Sequence, residues 1–283
     1  MKIDFFKFQG TGNDFILIDI RNKNKETQIQ KENHFLKKLC DRHFGIGADG
    51  IIFIKNDSKS DFYMKYYNSD GKESTMCGNG GRCAVSFSRK LEITKKNKIY
   101  FKAVDGYHYG IIKNKDLISV KLLDIDRNMI KKVANSNNHV FLNTGSPHHI
   151  FFIKEKDIKK IDVFKRGKII RFHNFYSKIG GVNVNFVKIL KNNILQVRTY
   201  ERGVENETLS CGTGIVASVI AAYEINEIKK NHSEKKNTHQ EFLVHTFGGK
   251  LWVSFQKTQN KYKEIYLTGS VKFVFKGCIN LMS

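Results

Sequence analysis

The sequence predicts an α/β protein of the α+β type with two similar halves, each a mostly antiparallel sheet curled around one central helix. Three observations predict this class. Short β-rich segments dominate the chain, a cysteine motif occurs once in each half, and an apolar helical segment follows each copy. A chain of 283 residues, 40% of them hydrophobic, is long enough for two domains of ordinary size, each with its own core.

Strands are predicted where apolar residues alternate with polar ones or form short β-branched runs between turns. In the first half these segments are residues 2–8, 15–19, 50–54, 62–67, 99–104, 107–112 and 118–122. In the second half they are residues 149–152, 183–189, 194–199, 241–246, 250–255 and 265–268. The turn signals Asp105-Gly106, Asn192-Asn193 and Gly248-Gly249 separate neighbouring strands, which indicates hairpins.

Three helices are predicted. Phe35, Leu36 and Leu39 recur at helical spacing in residues 33–43, and the segments 82–91 and 215–225 follow the two cysteine motifs. The segment 215–225, IVASVIAAYEI, is apolar nearly all round, which is typical of a buried helix. Many strands with one such helix in each half indicate a sheet curled around that helix.

The two halves are related by a repeat. Residues 73–80, ESTMCGNG, match residues 207–214, ETLSCGTG, so that Cys77 and Cys211 lie 134 positions apart. Two more pairs keep nearly this offset: TGN at 11–13 matches TGS at 144–146, and YNSDG at 67–71 matches TYERG at 199–203. Three pairs in register favour a duplicated domain over chance similarity of glycine-rich turns. We predict one half from residues 1–124 with 269–283, and the other from residues 125–268.

Composition leaves the cytoplasm as the expected compartment. No apolar run is long enough to span a membrane, and the start, MKIDFFKFQGTGNDF, is broken by polar residues too early for a signal peptide. Five cysteines without a C-x-x-C pair argue against a disulfide framework and against a zinc site. The net charge of +22 would suit nucleic acid or an anionic membrane. Because the lysines are scattered and no basic helix stands out, we expect neither as a specific partner.

The two motif cysteines, Cys77 and Cys211, are the candidate catalytic residues. A thiol at a helix N-terminus meets unpaired backbone N–H groups and the positive end of the helix dipole, and both favour the thiolate. The glycines that follow let a carboxylate approach those N–H groups. With the halves face to face, one thiolate could remove an α-proton while the other thiol protonates the opposite face, without cofactor or metal. Cys40, Cys83 and Cys278 lack the glycine context and are predicted to serve packing.

Six ordered motifs resemble the diaminopimelate epimerase family over most of the chain: KFQGTGNDFILID at 7–19, DRHFGIGADG at 41–50, YNSDGKESTMCGNGGRC at 67–83, TGSPHHIFF at 144–152, GGVNVNFV at 180–187 and RTYERGVENETLSCGTG at 198–214. The resemblance implies two pseudo-symmetric domains, each a β-barrel-like, mostly antiparallel sheet wrapped around a central helix. It also implies cofactor-independent epimerisation of LL-2,6-diaminopimelate to the meso form by a homodimer, in lysine and peptidoglycan-precursor biosynthesis.

Residue by residue, the resemblance implies that Cys77 and Cys211 are the acid–base thiols. It implies amide cradles for the reacting carboxylate at Gly78, Asn79, Gly212 and Thr213. The other implied roles are polar substrate contacts at Asn13, Asn68 and Asn183, contacts to the distal amino-acid group from Glu201 and Arg202, and tuning of the thiol pKa values by His148 and Glu201. The side-chain chemistry agrees, since an arginine fork suits the distal carboxylate and a glutamate suits the distal ammonium.

The chain departs from the family pattern at four places. Ser146 stands where many members have Asn, and Gly50 stands where some have Gln. The loop at 204–206 is one residue longer than the common form and lacks its Gly. Phe275 stands where some members carry a Tyr at the dimer contact. We expect local differences in shape at these positions.

Two alternatives remain open from the sequence. The first is another cofactor-independent racemase that resembles proline racemase, although that family typically has His where this chain has Asn79, and it lacks the YERG segment. The second is a non-enzymatic, basic nucleic-acid-binding protein that uses the charge and ignores the cysteines. Activity assays with proline and with diaminopimelate distinguish the first alternative from a diaminopimelate epimerase. Salt-sensitive retention on heparin without racemase activity would identify the second.

Overall fold

The computed structural model describes residues 2–22, 33–133, 138–154, 158–230 and 238–280. The chain divides into two compact units. The first unit runs to Lys121 and resumes at Thr268, and the second runs from Leu122 to Leu267. Residues 1 and 281–283, which the sequence assigns to the first half, lie outside the described residues.

The structure contains eighteen strands and four α-helices in the described part of the chain. The helices are α1 (Asn33–Cys40), α2 (Gly78–Lys90), α3 (Val163–Arg171) and α4 (Gly212–Lys230). The strands are β1 (Lys2–Gly10), β2 (Asn13–Asp19), β3 (Gly50–Lys55), β4 (Phe62–Asn68), β5 (Glu73–Ser74), β6 (Lys98–Ala103), β7 (Gly106–Ile112), β8 (Leu117–Lys121), β9 (Ile125–Asp126), β10 (Lys131–Lys132), β11 (His139–Asn143), β12 (Pro147–Phe152), β13 (Asn183–Lys191), β14 (Ile194–Glu201), β15 (Asn206–Thr208), β16 (Thr238–Thr246), β17 (Gly249–Lys257) and β18 (Lys261–Asn280).

The sheet of the first unit closes around α2. Strands β1 and β2 form an antiparallel hairpin, β2 pairs in parallel with β3, and β3 pairs antiparallel with β4. Strand β4 continues in parallel to β6, followed by the antiparallel pairs β6–β7 and β7–β8. The later part of β18 pairs with both β8 and β1, which makes a barrel of eight strands. Closure removes the open edges that a sheet would otherwise expose.

The second unit repeats this order of pairings. Strands β11 and β12 form an antiparallel hairpin, β12 pairs in parallel with β13, and β13 pairs antiparallel with β14. Strand β14 pairs in parallel with β16, which forms a hairpin with β17. Each short strand that precedes a cysteine, β5 or β15, pairs antiparallel with the strand before it. The two units therefore share one topology, in agreement with the repeat in the sequence.

Each unit packs its sheet against one buried helix. Helix α2 lies against β1, β2, β3, β4, β7 and β8, and α4 lies against β11, β12, β13, β14 and β17. The packing is close: a Cβ added to Gly110 of β7 would lie 2.3 Å from Cγ2 of Val85 in α2. Residues Ile215 to Ala222 of α4 are buried on every side, as the apolar sequence predicts. No helix in the described ranges is both long and apolar enough to cross a lipid bilayer.

The predicted fold class is confirmed, and the differences are local. The two central helices begin at Gly78 and Gly212, earlier than residues 82 and 215, because the glycines themselves form the first turn. Helix α1 ends at Cys40 rather than at 43, since the Asp41 carboxylate accepts hydrogen bonds from two backbone N–H groups that follow it, at 2.7 Å each. Helix α3 and strand β11 were not predicted, and the last strand is much longer than 265–268.

Candidate active site

Each motif cysteine lies at the start of a central helix. Cys77 is the N-cap of α2, with an extended backbone, and its carbonyl accepts a hydrogen bond from the N–H of Gly81 at 2.6 Å. Cys211 precedes α4, and its carbonyl accepts from the N–H of Ile215 at 2.9 Å. The first N–H groups of a helix have no partner within the helix. Both thiols therefore lie beside backbone groups that suit an anion.

In the first unit the thiol of Cys77 lies against Asn13. The Asn13 Oδ1 atom is 3.8 Å from Cys77 Sγ and accepts a hydrogen bond from Asn79 Nδ2 at 3.2 Å. On its other side, Asn13 Nδ2 donates to Asp49 Oδ2 at 2.6 Å. The amide of Asn13 is thus held from both ends, with its oxygen towards the sulfur.

Arg82 fixes Asn79 from inside the barrel. Its side chain is completely buried and donates to Asn79 Oδ1 at 2.9 Å, to Thr11 Oγ1 at 3.0 Å and to the carbonyl of Gly78 at 3.3 Å. Burial lowers the pKa of the Arg82 guanidinium to about 10, which still leaves it charged at neutral pH. Arg82 was not among the predicted site residues, although a charged residue at the start of a predicted central helix was a signal.

A cluster of ion pairs supports Asn13 from outside. Arg42 binds Asp14 at 2.7 Å and Asp49 at 2.9 Å, and Lys7 binds Asp14 at 2.8 Å. Burial alone would raise the pKa of Asp14, but the hydrogen bonds from Arg42 and Lys7 lower it to about 2. The cluster therefore keeps the Asp14 carboxylate ionised at neutral pH, and Arg42 holds Asp49 where it orients Asn13.

In the second unit a series of side chains in contact with one another begins at Cys211 and continues into the buried interior. Its sulfur is 3.7 Å from Thr213 Oγ1, which is 2.9 Å from His148 Nε2. His148 Nδ1 is 3.1 Å from Asn185 Nδ2, and Asn185 Oδ1 accepts from Thr199 Oγ1 at 2.9 Å. His148 and Asn185 are both fully buried. Burial, and then the charge of Arg202, lower the pKa of His148 to about 3, so the imidazole is neutral at physiological pH.

The hairpin that precedes Cys211 gathers three further predicted residues. Asn183 Nδ2 donates to Ser146 Oγ at 2.8 Å, and Asn183 Oδ1 accepts from the backbone N–H of Arg202 at 2.9 Å. Glu201 accepts from Thr208 Oγ1 at 2.8 Å. Ser146, the departure from Asn, thus takes part in fixing Asn183.

Two other departures also have structural reasons. Glu205 of the longer loop binds Arg171 at 2.9 Å and the N–H of Gly203 at 3.0 Å, which anchors that loop. A Cβ at Gly50 would lie 2.6 Å from the carbonyl oxygen of Tyr67, so a larger residue would not fit without movement. Asn68 is exposed at the end of β4 and makes none of the described contacts around Cys77.

The remaining cysteines differ in their surroundings. Cys40 and Cys83 are buried, and burial raises both of their pKa values, to about 12 for Cys40. Cys278 is exposed, so the prediction that it serves packing is wrong. It lies in the last part of β18, where residues 276–280 alternate between exposed and partly buried. Within the described ranges, no group of three or more His, Cys, Asp or Glu side chains is placed to hold a metal ion.

Comparison with known proteins agrees with the sequence resemblance. A family model described as diaminopimelate epimerase matches residues 5–121 and 140–274. The diaminopimelate epimerase of Flavobacterium psychrophilum is 45% identical over 275 residues, which cover 97% of this chain and 99% of that protein. The diaminopimelate epimerase of Aquifex aeolicus is 39% identical over 286 residues, 97% of each chain. Among solved structures, a PhzF-family phenazine biosynthesis protein of Bacillus anthracis superposes with a TM-score of 0.74 at 15% identity, covering 99% of this chain and 100% of that one.

Proposed function

Since the chain belongs to the diaminopimelate epimerase family, we propose that it interconverts LL- and meso-diaminopimelate with Cys77 and Cys211 as its two acid–base groups. The family match favours this reaction over the proline racemase and nucleic-acid alternatives. One observation carries the assignment of the thiols: each cysteine stands at the start of the buried central helix of its unit, beside glycine-lined backbone N–H groups.

The reaction requires the transfer of two protons and no change of oxidation state. One thiolate removes the proton from the α-carbon, and the electron pair of the C–H bond moves into the adjacent carboxylate. The other thiol then gives its proton to the opposite face of that carbon, which inverts the stereocentre. The N–H groups at 78–79 and 212–213 are suited to stabilise the negative charge on the carboxylate, because helix N-termini attract anions.

The residues around the thiols have matching roles in this proposal. Asn13, Asn68 and Asn183 are the polar substrate contacts, and Glu201 and Arg202 bind the ammonium and carboxylate at the distal end. The support is geometric for Asn183, whose side chain holds the backbone of Arg202. A planar guanidinium also suits a carboxylate better than any other cationic side chain.

We also propose that the enzyme works as a homodimer in the cytoplasm. All five cysteines are free thiols, which is typical of a reducing compartment. Near the end of β18, Phe273, Val274 and Phe275 are consecutive and 43–53% exposed, and contiguous exposed apolar residues mark interaction surfaces. Light scattering on the purified protein measures the mass of the assembly directly.

Incubation with LL-diaminopimelate in deuterated water tests the reaction. We expect the meso isomer to appear with one deuterium at the inverted carbon and without any added cofactor. Chiral chromatography with mass detection measures both at once. Activity that required pyridoxal phosphate or a metal ion would contradict the two-thiol proposal, and turnover of proline in place of diaminopimelate would contradict the substrate.

A further inference from the structure

We propose that the hydroxyl of Thr213 donates a hydrogen bond to the thiolate of Cys211, and that His148 and Asn185 are positioning residues that direct this hydroxyl towards the sulfur. The inference rests on the proposed role of Cys211 as an acid–base group. It assigns Thr213 a side-chain function in addition to its backbone N–H, and it gives His148 an indirect role, through Thr213.

The hydroxyl of Thr213 has only one proton to donate. Thr213 Oγ1 has two polar neighbours, Cys211 Sγ at 3.7 Å and His148 Nε2 at 2.9 Å. A hydroxyl donates one hydrogen bond and can accept others. If Nε2 carries a proton, it donates to Thr213, and the hydroxyl proton is left for the sulfur. The tautomer of His148 therefore decides which way the hydroxyl points.

Asn185 sets that tautomer. Its Nδ2 atom lies 3.1 Å from His148 Nδ1 and 3.4 Å from the carbonyl oxygen of His149, which can only accept. Turning the amide over would place two oxygens against each other. The Asn185 Oδ1 atom meanwhile accepts from Thr199 and faces the first turn of α4, since a Cβ on Gly214 would lie 2.3 Å from it. Oxygen is favoured there by the positive end of the helix.

It follows that Asn185 donates to His148 Nδ1 and that the neutral ring carries its proton on Nε2. Burial keeps the second proton off the ring, because the pKa of His148 is lowered to about 3. The charge of Arg202 acts on His148, and burial lowers the pKa of His149 to about 3 as well. Because both imidazoles stay neutral between pH 6 and 9, the direction of these hydrogen bonds is constant over that range.

The residue that matches Thr213 in the first unit carries an amide in place of a hydroxyl, which offers an internal contrast. Asn79 stands at the position that matches Thr213, and it contacts Asn13 through its amide. Asn13 Oδ1, which can accept but not donate, lies 3.8 Å from Cys77 Sγ. The proposed stabilisation concerns the Cys211 thiolate.

The test measures the Cys211 thiolate without substrate. In a full-length Cys77→Ala protein, the rate of Cys211 alkylation by iodoacetamide is followed from pH 6 to 10 by mass spectrometry of the Cys211 peptide. We expect Thr213→Val to move the midpoint of this profile up by about one pH unit, which is about tenfold less thiolate at neutral pH, since hydrogen bonds to charged groups are the strong ones. Thr213→Ser should restore the parent profile because it restores the hydroxyl.

Two further variants make the result specific. Ser218→Ala removes another buried hydroxyl of the same helix, which donates to the carbonyl of Gly214 at 2.7 Å, and it should leave the profile unchanged. Asn185→Leu should shift the profile in the same direction as Thr213→Val, but should add nothing in a Thr213→Val background, because it acts through Thr213. Additive shifts would mean that Asn185 acts on Cys211 by another route.

The proposal is overturned if Thr213→Val and Thr213→Ala, folded by circular dichroism, keep the parent alkylation profile. That result would leave the proposed function standing. The proposed function is refuted by a different result, namely a Cys211→Ala enzyme that still epimerises diaminopimelate. In the otherwise unmodified enzyme, Thr213→Val should lower kcat about tenfold and change KM less. A loss confined to KM would identify the hydroxyl as a substrate contact instead.

Discussion

Alanine at Gly214 should damage the second unit, whereas alanine at the matching Gly80 should be tolerated far better. A Cβ at Gly214 would lie 2.3 Å from Asn185 Oδ1 and 3.2 Å from His148 Cε1. Both neighbours are fully buried and hydrogen-bonded, so neither can move freely. A Cβ at Gly80 would meet only the ends of apolar side chains, Ile52 Cδ1 at 3.1 Å and Met64 Cε at 3.4 Å.

The change in unfolding free energy follows from two opposing effects of the added methyl group. Overpacking a buried site costs about 1–3 kcal/mol, while replacing a helical glycine by alanine contributes at most about 1 kcal/mol. Gly214→Ala should therefore lose about 1–2 kcal/mol of unfolding free energy and about 3–8 °C of Tm, and Gly80→Ala should stay within about 1 kcal/mol of the parent. Displacing Asn185 should also free the ring of His148 and lower kcat about tenfold, if the hydrogen bond to the Cys211 thiolate is lost.

Thermal unfolding by circular dichroism and initial rates of epimerisation measure these effects on the same preparations. Gly80 and Gly214 occupy matching positions in the first turn of the two central helices. The comparison therefore keeps the backbone position constant and changes only the side chains that surround the added Cβ. Equal losses for the two variants would refute the reasoning, since the closest contact would then not decide the outcome. A fully active Gly214→Ala enzyme would show that the position of Asn185 does not matter.

Three further predictions follow from the site. Cys77→Ala and Cys211→Ala should each lower epimerisation by at least about 10²–10⁴-fold, while Cys278→Ala should not, as progress curves with LL-diaminopimelate will measure. Arg202→Lys should reduce kcat/KM far more than a conservative change suggests, because an ammonium cannot replace a bidentate clamp, and an unchanged kcat/KM would exclude Arg202 from that role. The lowered pKa of Asp14 stabilises the fold fully above about pH 3.8, and this stabilisation is lost as the pH falls towards 2. Asp14→Asn should therefore flatten the acid limb of a urea-midpoint profile between those values.

Most of the fold could be predicted because it depends on local patterns. Period-two apolar runs and the repeated motif are properties of short segments, and the sheet and central helix of each unit follow from them. Helix α3 could not be predicted in this way. It carries exposed Phe164 and Ile169, so it lacks a clean apolar stripe, and it contains Gly167. That glycine is required by tertiary packing, since a Cβ there would lie 2.4 Å from Cβ of Tyr200 in β14.

The side chains that orient the candidate catalytic residues were harder to predict, because they act over long separations in sequence. Arg82 reaches Thr11, 71 positions away, and Asp49 holds Asn13 from 36 positions away. Asn185 was visible only as one amide in the middle of a predicted apolar strand, and nothing local linked it to His148. Motif similarity selects the candidate site residues, whereas the side chains that support them depend on contacts that only the folded chain defines.

The two thiols differ in their side-chain partners although the helices that carry them match. A carboxylate cradle needs backbone N–H groups and glycine, and the motif repeats both in each unit. Under the two-thiol mechanism, however, one sulfur must be ionised while the other is protonated. Identical surroundings would favour the same protonation state for both. The first unit faces its sulfur with the oxygen of Asn13, and the second faces its sulfur with the hydroxyl of Thr213. Under this proposal, divergence of the side chains over a repeated backbone sets which thiol is ionised in the free enzyme.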